Sequence, residues 1–177
     1  MAFQLIEKQV IYDGKKVRLE VHHLDDDEGK RHRQEICVHS GAVVILPFLD
    51  DQTILLIRNM RYTVGQYLLE LPAGTIDKKE PAIDCAGREL QEETGYLAGR
   101  LKLFGSFFAS PGILTEKIHA FAAYDLEKTK ASLEEGEDIE VIPTGFADAL
   151  EMIRTAQIED AKTIAALLMY DKFGRGK

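Results

Sequence analysis

The beginning of the chain alternates apolar and polar positions, which is the pattern of a half-buried β-strand. Residues 17–21 (VRLEV) follow this period of two, so that one set of side chains faces the protein interior. Asp13-Gly14 comes just before them, and glycine tolerates the positive φ angle that a tight hairpin turn demands. The pattern predicts an N-terminal hairpin over residues 3–24. The charged stretch 25–33 (DDDEGKRHR) then predicts a solvated loop.

The middle of the chain contains apolar runs that predict the strands of a core sheet. Residues 42–48 (AVVILPF) are almost continuously apolar, which favours a central strand. Residues 53–58 (TILLIR) follow a short turn at 50–52 and are predicted to form the hairpin partner of that strand. Further strands are predicted at 101–108, 117–124 and 139–142.

Three segments show the spacing of amphipathic helices instead. The first is 83–94, and the other two lie later in the chain, at 146–153 and after a predicted N-cap at Asp160. Strands therefore surround a central helix, and two helices follow the last strand. This order predicts one mixed α/β domain, in which residues 1–40 supply N-terminal strands and residues 41–177 form the main body.

Composition limits the kinds of protein that this sequence can encode. With 177 residues, 45% of them hydrophobic and 29% charged, the chain can bury roughly 70% of its unfolded surface without disulfide staples. Its net charge of −8 disfavours a general nucleic-acid binder, because phosphate neutralisation needs a basic surface. No apolar run approaches the ~18 residues that span a bilayer. Cys37 and Cys85, without a secretory signal, predict reduced thiols in a cytoplasmic protein.

The central helix carries the most unusual pattern in the sequence. Pro81 suits its first turn, and Gly95 suits the position just past its end. One face is apolar, while Glu89, Glu92 and Glu93 lie together on another, because residues three and four apart are neighbours on a helix. Three carboxylates are therefore predicted to converge near the last turn.

This placement of carboxylates opposes helix stability. The C-terminal end of a helix carries partial negative charge, so that each acid there costs ~0.3–1 kcal/mol. Arg88 can offset part of the repulsion by pairing with Glu92, four residues later, or with Asp84, four residues earlier. On its own, the pattern fits either an exposed acidic face or a cation site. Hard divalent ions such as Mg²⁺ take carboxylate and carbonyl oxygens and keep open positions for phosphates.

The spacing around the helix decides between these interpretations. From Gly74 onward the sequence follows G-x5-E-x7-R-E-L-Q-E-E-T-G, which resembles the Nudix box of the Nudix hydrolases at every fixed position. Tyr96 departs from the box, because a smaller aliphatic residue is usual there. The departure is modest, since that position is a hydrophobic packing site and not a ligand.

The resemblance implies a fold and a chemistry. Nudix hydrolases are α/β/α sandwiches with a mixed β-sheet, and they cleave a nucleoside diphosphate linked to a further group by using Mg²⁺ or Mn²⁺. The resemblance implies that Glu89, Glu93 and the backbone carbonyl of Ala73 bind the metal. It also implies that Glu92 supports or shares a metal ion and that Arg88 orients the glutamates.

Residues outside the box resemble those of the ADP-ribose and nucleoside diphosphate sugar pyrophosphatases. Glu70 opens the segment ELPAG that leads into the box, Arg61 lies upstream, and Pro111 falls 16 residues beyond Gly95. The resemblance implies that these residues belong to the substrate-binding side of the site. Each also has an ordinary explanation, as a strand end, a surface arginine or a generic turn proline.

The implied reaction is hydrolysis of the pyrophosphate bond of ADP-ribose or a related nucleoside diphosphate sugar, giving a nucleoside monophosphate and a sugar phosphate. The acidic stretch 133–138 corresponds to a loop that often supplies the general base, for which Glu137 is favoured, with Glu140 second. GDP-mannose or another sugar nucleotide is the alternative substrate. A catalytically silent Nudix domain that binds a nucleotide as a sensor is the alternative of a different class.

The expected partners are a small-molecule substrate and a second copy of the chain. Neither nucleic acid nor a membrane is expected. The predicted hairpin precedes the main body, and a lone two-stranded hairpin is marginal in water. Members of the ADP-ribose subfamily pack their N-terminal strands across a two-fold axis, so the resemblance implies a homodimer built by residues 1–40.

Overall fold

The structure is a computed structural model that describes residues 2–14, 17–77, 79–133, 136 and 138–174. Its contacts divide the chain into two units. The first unit combines Met1–Gly41 with Phe108–Lys117, and the second combines Ala42–Phe107 with Ile118–Lys177. Among the residues described, no helix is long and apolar enough to cross a membrane.

The first unit contains a three-stranded antiparallel sheet in the order β1-β2-β3. Its strands are β1 (Gln4–Asp13), β2 (Arg18–Asp25) and β3 (Arg31–Val38). The antiparallel pairing of β1 with β2 confirms the predicted hairpin. β3 is not predicted from the sequence, because its first residues fall in the charged stretch 25–33.

The predicted loop at 25–33 is wrong at both ends, where the charges belong to paired strands. Asp25 stands directly opposite Arg31 across β2 and β3, and the guanidinium donates to the carboxylate at 2.9 Å. Opposite charges in such a cross-strand pair stabilise the sheet. The turn itself is shorter than predicted, and the Asp26 side chain accepts two backbone N–H groups within it.

The second unit contains two further sheets. Their strands are β4 (Ala42–Pro47), β5 (Thr53–Arg61), β6 (Gln66–Glu70), β7 (Ala73–Thr75), β8 (Tyr96–Phe108), β9 (Lys117–Lys128) and β10 (Ile139–Gly145). One sheet has the order β7-β4-β9-β8, and the other has the order β10-β5-β6. Because β4 runs parallel to β9 and antiparallel to β7, the first of these sheets is mixed, as the resemblance implies.

Helices pack on both faces of the mixed sheet. They are α1 (Ala82–Thr94), α2 (Phe146–Arg154) and α3 (Ala161–Met169), which continues into a π-helical turn (Tyr170–Gly174). Val43 and Ile45 of β4 pack with Leu90 of α1, whereas Val44 and Leu46 pack in a cluster with α2 and α3. Successive residues of a strand point to opposite faces, so β4 is buried on both sides. The predicted α/β/α sandwich is confirmed.

β5 is not the hairpin partner of β4, which corrects the expectation from the sequence. It pairs with β6 and β10, and it meets the residues just after β4 through an isolated bridge between Phe48 and Ile54. The turn at 50–52 forms as expected, since the Asp50 side chain accepts two backbone N–H groups there. Both edges of β4 are already occupied by β7 and β9, so β5 enters another sheet.

Candidate active site

The acidic helix α1 ends where the sequence analysis places its end. Gly95 adopts the left-handed conformation with φ 71°, and its N–H donates to the carbonyl of Gln91 at 2.9 Å. Glycine adopts this conformation without the steric cost that a side chain brings. Glu89 and Glu92 are half-buried near this end, and Glu93 is only 4% exposed. The box carboxylates therefore lie at the protein surface and just beneath it.

Arg88 is the centre of a cluster of carboxylates that runs along α1, from Glu80 just before the helix to Glu92 in its last turn. Its Nη1 donates to both Glu89 and Glu92 at 2.8 Å, and its other nitrogens donate to the two oxygens of Glu80 at 3.0 and 3.1 Å. The predicted pairing of Arg88 with Glu92 is confirmed. The bond from Arg88 holds the pKa of Glu80 below its ordinary value, and the carboxylates, Glu80 first, raise the pKa of Arg88. One cation thus offsets much of the repulsion in the cluster.

The backbone of Ala73 and Gly74 lies against two of the box glutamates. A Cβ atom on Gly74 would come within 1.9 Å of the carboxyl carbon of Glu89, so any other residue at this position would force the Glu89 carboxylate to move. The N–H of Ala73 donates to Glu93 at 2.9 Å. Glu89 and Glu93, four residues apart on α1, therefore both approach β7. The first glycine of the box is explained by this close approach and not by a turn.

The oxygen donors at this point are of the kind that a hard divalent cation takes. Glu89 and Glu93 supply carboxylates, the backbone of Ala73 supplies a carbonyl, and Mg²⁺ prefers oxygen ligands. Within the part of the chain that is described, no group of three or more His, Cys, Asp or Glu side chains could hold a metal ion by itself. A metal-binding role for Glu89, Glu93 and the Ala73 carbonyl, with Glu92 in support, stays a prediction.

A second charged cluster, the Glu70 cluster, consists of Arg61, Glu70, Asp160 and Lys162. Glu70 is fully buried, and its two oxygens accept from Arg61 at 2.6 Å each. Lys162 also donates to Glu70, and to Asp160 at 2.9 Å. The bond to Glu70 is the main cause of the raised pKa of Arg61, and the charges of Glu93 and Asp160 raise it further. The Glu70 cluster therefore lies within electrostatic reach of the Nudix box.

Thr163 joins the Glu70 cluster to the segment that enters the box. Its hydroxyl accepts the N–H of Leu71 at 2.8 Å and donates to Asp160 at 2.6 Å. Asp160 also accepts the N–H of Thr163 and so caps α3, as the sequence predicts. No pattern in the sequence singles out Lys162 or Thr163. Their partners on β6 and beyond lie 92 residues away in the chain, and no local pattern signals such a contact.

Of the three predicted substrate-binding residues, two are in contact with each other and the third belongs to the first unit. Arg61 and Glu70 meet, and the Arg61 side chain remains 38% exposed while Glu70 is closed to solvent. Pro111 belongs to the first unit, in an exposed turn in which the carbonyl of Ser110 accepts two backbone N–H groups. Because Glu70 is buried and bonded to Arg61, its role is to hold the Arg61 side chain in place. Contact with substrate stays a prediction for all three.

Glu137, the favoured base, lies outside the described residues, but the residues on either side of its segment have clear contacts. The N–H of Ser132 donates to the carbonyl of Glu92 at 3.0 Å. The N–H of Met60 donates to the carbonyl of Asp138 at 3.1 Å. Ser132 therefore lies beside the end of α1, and Asp138 lies beside β5.

Glu140, the second candidate base, is on β10 and faces away from the Glu70 cluster. It stands opposite Arg58 of β5 and accepts from that guanidinium at 2.9 Å. Glu70 stands opposite Ile57, the preceding residue of β5. Because consecutive strand residues point to opposite faces, Glu140 and Glu70 project from opposite faces of this sheet. The structure does not bring the two carboxylates together, and the role of Glu140 stays a prediction.

The sequence as a whole matches a known family over most of its length. The NUDIX domain profile covers residues 38–167. The chain belongs to the Nudix family. The resemblance seen at the box is therefore confirmed, and it extends through the strands and helices that surround α1.

Two of the relatives of this Nudix protein are named as pyrophosphatases of ADP-ribose or GDP-mannose. An ADP-ribose pyrophosphatase of Bacillus subtilis (strain 168) is 36% identical over 92% of this chain and 89% of its own length. A GDP-mannose pyrophosphatase of Escherichia coli O1:K1 / APEC is 38% identical over 80% of this chain and 79% of its own. A methanol dehydrogenase activator of Bacillus methanolicus is 33% identical over 92% of this chain and 89% of its own length. The crystal structure of an ADP compounds hydrolase has the same fold, with a TM-score of 0.86 at 23% identity over 97% of this chain and 94% of that one.

Proposed function

We propose that this Nudix protein hydrolyses the pyrophosphate bond of ADP-ribose or a related nucleoside diphosphate sugar. The observation that supports this proposal most strongly is that Glu89 and Glu93 both approach the backbone of Ala73-Gly74. The negative charge of Glu93 also acts on Arg61. The names of relatives, an ADP-ribose pyrophosphatase and a GDP-mannose pyrophosphatase, support this substrate class. The products are a nucleoside monophosphate and a sugar phosphate, which are AMP and ribose 5-phosphate if the substrate is ADP-ribose.

Glu89, Glu93 and the carbonyl oxygen of Ala73 hold Mg²⁺ in this proposal, with Mn²⁺ as a substitute. The chemistry that the ion supplies when bound is neutralisation of phosphate charge and a lowered pKa for the attacking water. Glu92 supports these ligands or shares an ion. Arg88 keeps Glu89 and Glu92 in place through two 2.8 Å bonds, so that the glutamates are oriented before the substrate arrives.

Arg61 binds a phosphate of the substrate in this proposal. Glu70 occupies its Nε and one terminal nitrogen, Nη2, while the other terminal nitrogen, Nη1, lies outside that pair. A guanidinium held flat in this way presents a donor in one defined direction. Glu70 thus contributes to substrate binding through Arg61. Pro111 is assigned to the substrate side by the resemblance alone.

Glu137 is the proposed general base, and Glu140 is the second candidate. A base has to come within hydrogen-bond reach of the water from which it takes a proton. The contacts of Ser132 and Asp138 with the end of α1 and with β5 support a base from the segment between them. Glu140 is already engaged by Arg58, which makes it the weaker candidate.

Two other functions compete with this proposal. Hydrolysis of GDP-mannose or another sugar nucleotide is favoured by the relatives that carry that name. A catalytically silent nucleotide sensor is disfavoured by the intact set of Glu89, Glu92 and Glu93, since loss of any one would be the simplest route to silence.

An assay on a panel of substrates tests the proposed function. The protein is incubated with Mg²⁺ and, in turn, with ADP-ribose, GDP-mannose, other sugar nucleotides and dinucleotides, and the products are separated by chromatography. We expect AMP and ribose 5-phosphate from ADP-ribose, loss of the reaction with EDTA and its return with added Mg²⁺. Faster cleavage of GDP-mannose would move the assignment to that substrate. Binding of nucleotides without any cleavage would contradict the proposal and favour the sensor.

The cysteines are consistent with the proposed cytoplasmic location. Cys37 and Cys85 are both free. Burial raises the pKa of the Cys85 thiol to about 12, so that very little reactive thiolate forms at neutral pH. Free thiols are typical of a reducing compartment.

The proposed homodimer rests on the exposed apolar strand at the edge of the first unit. All ten residues of β1 are exposed, among them Leu5, Ile6, Val10 and Ile11 at 43–50%. β3 already gives the hairpin a third strand, so the expectation that a lone hairpin needs cover is corrected. An uncovered apolar edge strand is nevertheless a ready site for association.

Light scattering on the full chain tests the homodimer. We expect about twice the monomer mass of 19.9 kDa, and a monomer when Leu5 and Ile11 are both replaced by lysine, since edge lysines oppose strand association. Leu168→Lys on α3 is the matched control, because Leu168 is 42% exposed and Leu5 is 43% exposed. A full-length protein that is monomeric and active at micromolar concentration would remove the dimer from the proposal.

A further inference from the structure

Lys162 has no role in the reaction proposed above, yet it is held firmly in the Glu70 cluster. It lies in the first turn of α3, and its side chain is 18% exposed. Its ammonium group donates to Glu70 and to Asp160. An ammonium that has lost most of its hydration needs this compensation by carboxylates. Lys162 is therefore held between β6 and the start of α3.

The charge of Lys162 matters because the segment that follows Glu70 leads directly to the box: Leu71 is bonded to Thr163, and the N–H of Ala73 donates to Glu93 at 2.9 Å. The negative charge of Glu93 also raises the pKa of Arg61. Arg61 and Lys162 provide two positive charges against the carboxylates of Glu70, Asp160 and Glu93. Without Lys162, Arg61 alone would face three carboxylates. Charges in partly buried surroundings interact strongly, so an approaching phosphate would meet a more negative site.

We propose that Lys162 is a positioning residue for the phosphates of the substrate and acts through Glu70 and Arg61. The inference rests on the proposed function, in which Arg61 binds a phosphate. Lys162 compensates part of the negative charge of Glu70 and neutralises the charge of Asp160. Arg61 then keeps its two 2.6 Å bonds to Glu70 and retains enough unshared positive charge at Nη1 to attract a phosphate.

The neighbouring hydrogen bonds indicate that Lys162 affects substrate binding more than turnover. Thr163 holds the N–H of Leu71, and the N–H of Ala73 donates to Glu93. These bonds connect the start of α3 to the end of α1 that is proposed to hold the metal. The ammonium group of Lys162 is not part of this connection. Removal of the lysine charge therefore leaves the glutamates of the box in place.

The Lys162→Met variant removes the charge and nearly preserves the length of the side chain. With ADP-ribose and saturating Mg²⁺, we expect KM to rise about tenfold while kcat changes by less than about threefold. Lys162→Arg keeps the charge and should return KM to within about threefold of the wild-type value. Lys172→Met is the control, because Lys172 is 68% exposed and pairs only with its neighbour Asp171 among the described residues. It should change neither constant.

A double variant separates the effect of charge from an effect on folding. Asp160→Asn combined with Lys162→Met removes one carboxylate together with the lysine, and asparagine still caps a helix. We expect most of the increase in KM to disappear in this variant. If Lys162→Met alone lacks the circular dichroism of a folded protein, Lys162→Gln, which also removes the charge but keeps a polar side chain, takes its place in the comparison. Equal KM values for a folded Lys162→Met and the double variant would overturn the inference.

Calorimetric titration with inorganic pyrophosphate and Mg²⁺ gives a second measurement that does not depend on cleavage of a sugar nucleotide. We expect Lys162→Met to bind pyrophosphate about tenfold more weakly than the wild type. If the wild type cleaves no sugar nucleotide, the proposed function is wrong and this titration alone decides the inference. Equal pyrophosphate affinities, no pyrophosphate binding by the wild type, an unchanged KM, or no restoration by arginine would each overturn it.

Discussion

The Glu93→Gln variant is expected to turn over the sugar nucleotide at least about a hundredfold more slowly than the wild type. The amide keeps the size of the side chain, and its oxygen can still accept the N–H of Ala73, which lies 2.9 Å from Glu93. The substitution removes the negative charge that is proposed to face Mg²⁺. The loss should appear in kcat, and a higher Mg²⁺ concentration should recover only part of it.

The fold of this variant should survive, which makes the activity measurement interpretable. Glu93 lies four residues from Glu89 at the negative end of α1, where removal of a like charge relieves repulsion. We therefore expect an unchanged or slightly higher melting temperature in metal-free buffer. Glu151→Gln is the matched control, because Glu151 lies on α2 and pairs with exposed Arg154. Near-normal activity of Glu93→Gln would rule out its assignment as a metal ligand.

The Glu137→Gln variant is expected to lower kcat about a hundredfold while the affinities for Mg²⁺ and substrate stay within about threefold of the wild-type values. An amide cannot accept the proton of the attacking water at neutral pH. The wild type should also slow as the pH falls and the base becomes protonated. This acid limb of the pH–rate profile should be absent from the variant.

Glu140→Gln is the companion variant that tests the choice of base. Glu140 stands opposite Arg58 and accepts from it at 2.9 Å, on the face of the sheet away from Glu70. We expect its kcat to fall by less than about threefold. A larger loss in Glu140→Gln than in Glu137→Gln would make Glu140 the base. Normal rates in both would mean that no glutamate of this segment takes the proton.

The helices and most strands could be predicted because their signals are local. The sequence predicts a helix over 83–94, and α1 spans Ala82–Thr94 with Pro81 and Gly95 at its two ends. Helix caps and apolar periodicity act over three or four residues, so that neighbours in sequence carry the information. The cap of α3 at Asp160 was predictable for the same reason.

The pairing of strands could not be predicted in the same way. Residues 42–48 and 53–58 look like the two strands of a hairpin, yet β4 and β5 belong to different sheets. β3 is charged at its start, and β7 has only three residues, so neither has a strong apolar pattern. The partner of a strand depends on which edges other segments have already filled, and that competition involves the whole chain.

The sequence by itself determined the chemistry of the box. Glu89, Glu92 and Glu93 recur at helical spacing, and this spacing alone requires them to share one end of one helix. The match of this segment to the Nudix box identified the family and gave the expectation that Mg²⁺ is bound. The family was therefore recognisable without any coordinates.

Only the tertiary structure decided which residues surround the box. It shows that Gly74 makes room for Glu89, that Lys162 reaches Glu70 across 92 positions of the chain, and that Glu140 projects from the other face of its sheet. The physical reason is the range of the interactions. Periodicity and capping are set within a few residues, whereas a buried ion pair forms only where packed sheets and helices bring distant segments together.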